Sequence, residues 1–188
     1  MGTSKYKESA PGTYYHIYNR GNQKNTIFKE IDDYKIYLRG LGQATKKFNF
    51  SLISYCLMPN HIHLLARQNE DSPPSKFISS LHTSYSMIFN KKYDSVGHLF
   101  QGRFKQKIIQ NDEYMLGLIA YIHLNPVKDR LCRFPKEYMW SSYREYVGWV
   151  RFPLCDRALI NNYRFKGQSF EDFINLAGKI DPMEAFDN

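Results

Sequence analysis

FSLISYCLMPNHIHLLAR, residues 50–67, reads as a hairpin around which the rest of the chain can be ordered. Phe50 to Leu57 is a stretch of apolar and β-prone residues. Met58, Pro59 and Asn60 form a short turn, because Pro and Asn both favour one. His61 to Arg67 resumes as a strand, which completes the hairpin. Side chains two apart on a strand point to the same side. His61 and His63 therefore project together, while Ile62 and Leu64 turn the other way into a core. Two adjacent imidazoles can bind a divalent metal. The same H-x-H is equally what two polar positions on the open face of a sheet would look like. Two ligands are also too few, so a third must come from elsewhere.

Outward from the hairpin, the chain alternates strands and helices. Tyr14 to Tyr18 (YYHIY) reads as a strand, and NRGNQK follows as a polar turn carrying Arg20 and Lys24. Asp32 to Phe48 has apolar residues at helical spacing, with Asp32 as a plausible cap. Pro73 and Pro74 break the chain beyond the hairpin, and Ser75 to Lys92 reads as a second long helix. Gly97 to Gly102 is a loop and Phe104 to Ile109 a fourth strand. The order β-α-β-β-α-β predicts an α+β, ferredoxin-like (RRM-like) fold: an antiparallel sheet with helices on one face. Asp112 then caps a third helix running to about Asn125, which Pro126 stops. Met1 to Gly12 reads as a loose polar arm. The chain beyond Arg130 is irregular, with a helix-like segment at Ser169 to Ala177.

Bulk properties narrow the partners. The 188 residues carry a net charge of +8 and a pI of about 9.3. Such a surface concentrates polyanions, nucleic acid first among them, although many basic proteins bind none. Cys56, Cys132 and Cys155 are odd in number and show no C-x-x-C. A disulfide framework or zinc cluster is not expected, and a reducing cytoplasm fits. The start MGTSKYKESAPGTYY has no apolar run that would make a signal peptide. No stretch reaches the apolar length of a membrane helix. The expectation is a cytoplasmic protein with no membrane partner.

The second feature is AYIHLNP, residues 120–126. Residues four apart share a helix face, so Tyr121 and Asn125 lie together. That face offers a phenol nucleophile and a carboxamide oxygen, a candidate for the missing third metal ligand. Tyr114, two turns earlier, is the competing nucleophile. With 15 tyrosines in the chain, a core or rim role is the default for any one of them. His123 is read as a surface residue rather than a helper at the site.

These stretches resemble a known family. CLMPNHIHLL (Cys56 to Leu65) resembles the HUH motif, two histidines flanking a hydrophobic residue. YIHLNPVK (Tyr121 to Lys128) resembles the catalytic-tyrosine helix of single-tyrosine transposases. YHIYNRGN (Tyr15 to Asn22), GHLFQGRFK (Gly97 to Lys105) and WSSY (Trp140 to Tyr143) match further blocks in the expected order. The subgroup it looks most like is that of the REP-associated tyrosine transposases. The resemblance implies an HUH nuclease domain over residues 1–146 and a C-terminal extension over 147–188. It implies that His61 and His63 are metal ligands and that Tyr121, not Tyr114, is the nucleophile. The residue completing the metal site is often Gln in the insertion-sequence enzymes and is Asn125 here.

The activity implied by the resemblance is that of an endonuclease and strand transferase, a transposase, acting on single-stranded or hairpin DNA. Tyr121 would form a covalent 5′-phosphotyrosine, with Mg²⁺ or Mn²⁺ at His61, His63 and Asn125 polarising the phosphate. An ordinary tyrosine, with a pKa near 10, is protonated at neutral pH, and a metal ion nearby would help remove that proton. Arg20, Lys24, Arg103, Lys105, Lys107, Lys128 and Arg130 are candidate DNA contacts; each is equally a solvated surface charge. His98, Phe100 and Trp140 either stack bases or pack. The oligomer is a monomer or a homodimer, with Tyr121 acting in cis or in trans. The rival reading is a non-catalytic nucleic-acid-binding regulator with an RRM-like sheet. A histidine-triad hydrolase would need a third histidine where Leu65 stands.

Overall fold

The computed structural model describes residues 10–156, 158 and 169–177. Strands β1 (Tyr14–Arg20), β2 (Phe50–Met58), β3 (His61–Gln68) and β4 (Lys105–Ile109) form one sheet in the order β2-β3-β1-β4. Every neighbouring pair is antiparallel. Helix α1 (Ile31–Phe48) joins β1 to β2, and α2 (Pro74–Tyr93) joins β3 to β4. This is the expected ferredoxin-like arrangement. The two helices of the β-α-β-β-α-β unit share one face, over a core that includes Tyr15, Ile17, Leu57, Ile62, Leu64 and Phe77. Each fully buried aliphatic side chain there contributes roughly 1.5–3 kcal/mol relative to exposure.

Helix α3 (Asp112–Lys128), which follows the unit, covers the other face. There Leu65 and Ile109 meet Leu118, Ile119, Tyr121 and Ile122 in a second core. A β-bulge between Leu52 and Ser54 switches which positions of β2 face each core. Before it, Phe50 and Leu52 face the α1–α2 side; after it, Tyr55 and Leu57 do. The extra residue flips the alternation, so that Cys56 and Met58 lie on the α3 side opposite His63 and His61.

Both N-caps are corrections. Glu30, not Asp32, caps α1, paired with Asp33 in a capping box. Asn111, not Asp112, caps α3, its side chain accepting from the Tyr114 amide at 2.8 Å. Pro126 does not stop α3. It removes one N–H from the ladder, but Asp129 N–H still bonds Asn125 O at 2.9 Å and Leu131 N–H bonds Pro126 O at 2.8 Å. The last turn thus survives to Lys128.

Residues beyond α3 return to the outer edge of β2. Leu57 N–H donates to Trp140 O, and Asp156 N–H to Leu52 O. This covers a strand edge that would otherwise stay open. The short helix α4 (Tyr143–Tyr146) and α5 (Phe170–Ala177) close over α3. Residues 1–9 of the expected polar arm lie outside the described residues, as do 157, 159–168 and 178–188 of the expected C-terminal extension. Gly12 N–H, at the end of the arm, donates to Gln68 O at 2.7 Å.

Candidate active site

The strand register assembles the site. Tyr18 on β1 stands opposite His63 on β3, Arg20 opposite His61, Lys107 on β4 opposite His16, and Lys105 opposite Tyr18. Period-2 alternation therefore puts His16, Tyr18, His61, His63, Lys105 and Lys107 on one face. α3 lays Tyr121 against them. The Tyr121 and His63 rings are perpendicular, with centroids 5.3 Å apart, and the His61 and His63 centroids lie 5.1 Å apart. The expected histidine–tyrosine juxtaposition is present, on a face that α3 covers rather than an open one. His63 is 6% exposed and Tyr121 2%.

Each histidine has a partner at its Nδ1. His61 Nδ1–H donates to Asn60 Oδ1 at 2.7 Å, and Asn60 Nδ2 donates to Lys24 O at 3.4 Å. The turn supplying that carbonyl needs Gly21, where a Cβ would come within 2.0 Å of Asn25 O. His63 Nδ1 is hydrogen-bonded to His16 Nε2 at 3.0 Å. Burial holds His63 neutral, its pKa well below the usual value; His16, His61 and Lys128 push the same way. Burial, with Lys107 adding, pulls His16 down to about 3. Burial raises Tyr18.

Asn125 lies one turn beyond Tyr121 and is buried. Its Nδ2 donates to Tyr121 O at 3.0 Å, leaving Oδ1 as the acceptor end of the amide. Among the described residues no group of three His, Cys, Asp or Glu side chains is placed to hold a metal. Imidazole nitrogens with a carboxamide oxygen would make a mixed N/O donor set of the kind divalent ions accept.

The candidate DNA contacts divide. Lys128 Nζ lies 6.0 Å from the Tyr121 ring centroid, and Lys105 Nζ 6.0 Å from that of Tyr18. Arg103, Lys105 and Lys107 line a groove of about 2180 Å³ between α2, β4 and the loop before β4. Arg20 Nε donates to Gln101 Oε1 at 2.5 Å. Lys24 and Arg130 are exposed. Phe100 stacks on His82 with centroids 4.0 Å apart, and Trp140 on Tyr34 at 4.4 Å; both pack into the protein. His98 is exposed.

His123 is a correction. It is fully buried, not on the surface. Its Nδ1 is bonded to Ile119 O at 2.9 Å and its Nε2 to Ser142 Oγ at 2.7 Å. Tyr143, Tyr146 and Phe170 surround the ring. It ties α3 to the WSSY segment, and burial lowers its pKa to about 3. Nothing in the sequence marked His16 for a role at the site. Its only signal was a histidine in YYHIY, two residues from Tyr18.

Comparison with known proteins places the chain in a family. The family described as Transposase IS200 like matches residues 9–125. A Haemophilus influenzae protein named as a REP-associated tyrosine transposase is 30% identical over 123 residues, 59% of this chain and 69% of that protein. A solved structure of a REP-associated tyrosine transposase bound to a REP hairpin superposes with a TM-score of 0.64. It is 18% identical and covers 82% of this chain and 90% of the other, a likeness of fold. With well over half of its residues inside the family match, and HUH histidines facing a helix-borne tyrosine, the chain belongs to the IS200-like transposases of REP-associated tyrosine transposase type.

Proposed function

We propose that this protein cuts and rejoins single-stranded DNA beside a hairpin through a covalent bond to Tyr121. The observation carrying this reading is the Tyr121 ring standing 5.3 Å from His63, on a helix laid over the HUH strand. The Tyr121 hydroxyl attacks the scissile phosphorus in line. The bond to the 3′-oxygen breaks, and that oxygen leaves as a 3′-hydroxyl with the proton that the phenol gives up. The 5′-phosphate remains on Tyr121. Attack by a second 3′-hydroxyl reverses the step and frees the tyrosine, so no nucleotide cofactor is consumed. His61, His63 and Asn125 would hold Mg²⁺ or Mn²⁺, which supplies positive charge to a non-bridging phosphate oxygen.

Lys105 and Lys107 share the face of the histidines, and Lys128 stands beside Tyr121. We assign these three to the phosphates flanking the cut. The fold relative bound to a REP hairpin and the charge of +8 support hairpin DNA as the substrate. A single chain brings its own tyrosine to its own histidines, so the reading is a monomer acting in cis. An RRM-like regulator is disfavoured, because α3 covers the sheet face that such a module would leave open for stacking bases.

The test is incubation with single-stranded hairpin DNA from beside the gene, with Mn²⁺. A protein–DNA adduct that survives denaturation is expected. Its absence with every metal and flanking sequence would favour a binding module.

A further inference from the structure

His16 is 1% exposed, and its Nδ1 has no hydrogen-bond partner among the described residues. A buried polar atom left unpaired is destabilising. An apolar ring of similar size would fill the space between Tyr18, His63 and Tyr121 without that cost. The polar contact the ring does make runs from its Nε2 to His63 Nδ1 at 3.0 Å.

Two neutral imidazoles can make that bond in two ways. If His16 donates, the His63 proton sits on Nε2, and no lone pair remains there for an ion. If His63 donates from Nδ1, its Nε2 carries the lone pair. His61, the neighbouring ring, offers a comparison. Asn60 is oriented by its Nδ2 donating to Lys24 O, so its Oδ1 accepts from His61 Nδ1–H. In a neutral ring that leaves the His61 lone pair on Nε2. Metal-ligating histidines hand their other N–H to an acceptor in this way.

We propose that His16 is a positioning residue: its Nε2 accepts the Nδ1–H of His63 and holds the Nε2 lone pair of that ring ready for a divalent ion. Asn60 does the same for His61. The two ligand rings, which are only two residues apart, are thus set in one tautomer by acceptors from different places, one on the neighbouring strand and one in the hairpin turn. This role rests on the reading of His61 and His63 as ligands.

The tautomer is measured on the metal-free, unaltered chain labelled with ¹⁵N-histidine, by long-range ¹H–¹⁵N correlation near neutral pH. His63 protonated on Nδ1 is expected; protonation on Nε2 overturns the proposal. Mn²⁺ titration calorimetry then compares His16→Phe with His16→Gln, whose Oε1 restores an acceptor. The Phe variant is expected to bind Mn²⁺ about 10–100-fold more weakly than the unaltered protein, and the Gln variant to recover most of that loss. Unchanged affinity in a folded His16→Phe overturns the assignment. Should the unaltered protein bind no Mn²⁺, the ligand reading fails by itself, and the tautomer of His63 still decides what His16 does. Should His16→Phe not fold, the same tautomer measurement decides.

Discussion

The rings of Tyr121 and His63 stand perpendicular, with centroids 5.3 Å apart, and both belong to one chain. Tyr121 and the strand carrying His61 and His63 therefore meet within one chain, which is the arrangement that action in cis needs. Mixing His63→Ala protein with Tyr121→Phe protein tests this. Acting in cis, neither variant supplies what the other lacks, and no covalent adduct forms on hairpin DNA. An adduct appearing only in the mixture would mean that the tyrosine helix serves a partner.

Asn125 is the third member of the proposed ligand set. Asn125→Leu keeps the buried volume and removes the carboxamide oxygen. Adduct formation should then need about ten-fold more Mn²⁺, a loss of about 1.4 kcal/mol in ion binding. Adduct yield measured across a Mn²⁺ series reads this, and an unchanged Mn²⁺ requirement would remove Asn125 from the set.

Lys105 and Lys107 lie on the same sheet face as the histidines. If Lys107 touches a phosphate, Lys107→Ala weakens binding of every hairpin sequence alike. It also lowers the slope of log affinity against log salt by about 1. Fluorescence anisotropy across a salt series from about 50 to about 200 mM measures it. A slope equal to that of the unaltered protein would place Lys107 off the DNA.

Buried histidines set a pH dependence of stability. Burial pulls both His82 and His123 down to about 3, against about 6.5 in an unfolded chain. Between those values the unfolded state takes up protons that the native state does not. Stability is therefore full above the unfolded value and falls as the pH drops toward 3. Each group contributes a slope of about 1.4 kcal/mol per pH unit in that window. His16 adds in the same direction. From about pH 7.5 to about pH 5.5, roughly 3 kcal/mol should be lost from the first two alone. Urea unfolding at the two values checks this, and equal midpoints would show that these rings are protonated in the native state.

The parts of the site that were legible were those governed by local periodicity. His61 and His63 share a face because any strand has a period of two, and Tyr121 and Asn125 share one because any helix has a period near 3.6. His16 was hidden because it reaches His63 through the register of β1 against β3, which no local pattern encodes. The burial of His123 is hidden for a related reason: the rings that bury it come from residues 143, 146 and 170. The continuous apolar run in β2 marks a strand, but its bulge, which turns Cys56 and Met58 toward the site, leaves no mark in the sequence. Pro126 misled because a proline near a helix end removes only one ladder bond, which the surrounding core tolerates.

Everything proposed for the site turns on whether Tyr121 becomes joined to DNA. Mass spectrometry can locate the joint after reaction with a single-stranded hairpin substrate and Mn²⁺, followed by proteolysis and nuclease trimming. A nucleotide phosphate is expected on the peptide carrying Tyr121. That adduct should be lost in Tyr121→Phe and retained in Tyr114→Phe. Tyr121→Phe should keep its place in the α3 core and change stability by less than about 1.5 kcal/mol, the loss of a single hydrogen bond. The nucleotide on Tyr114, or an adduct undiminished in Tyr121→Phe, would rule out Tyr121 as the nucleophile.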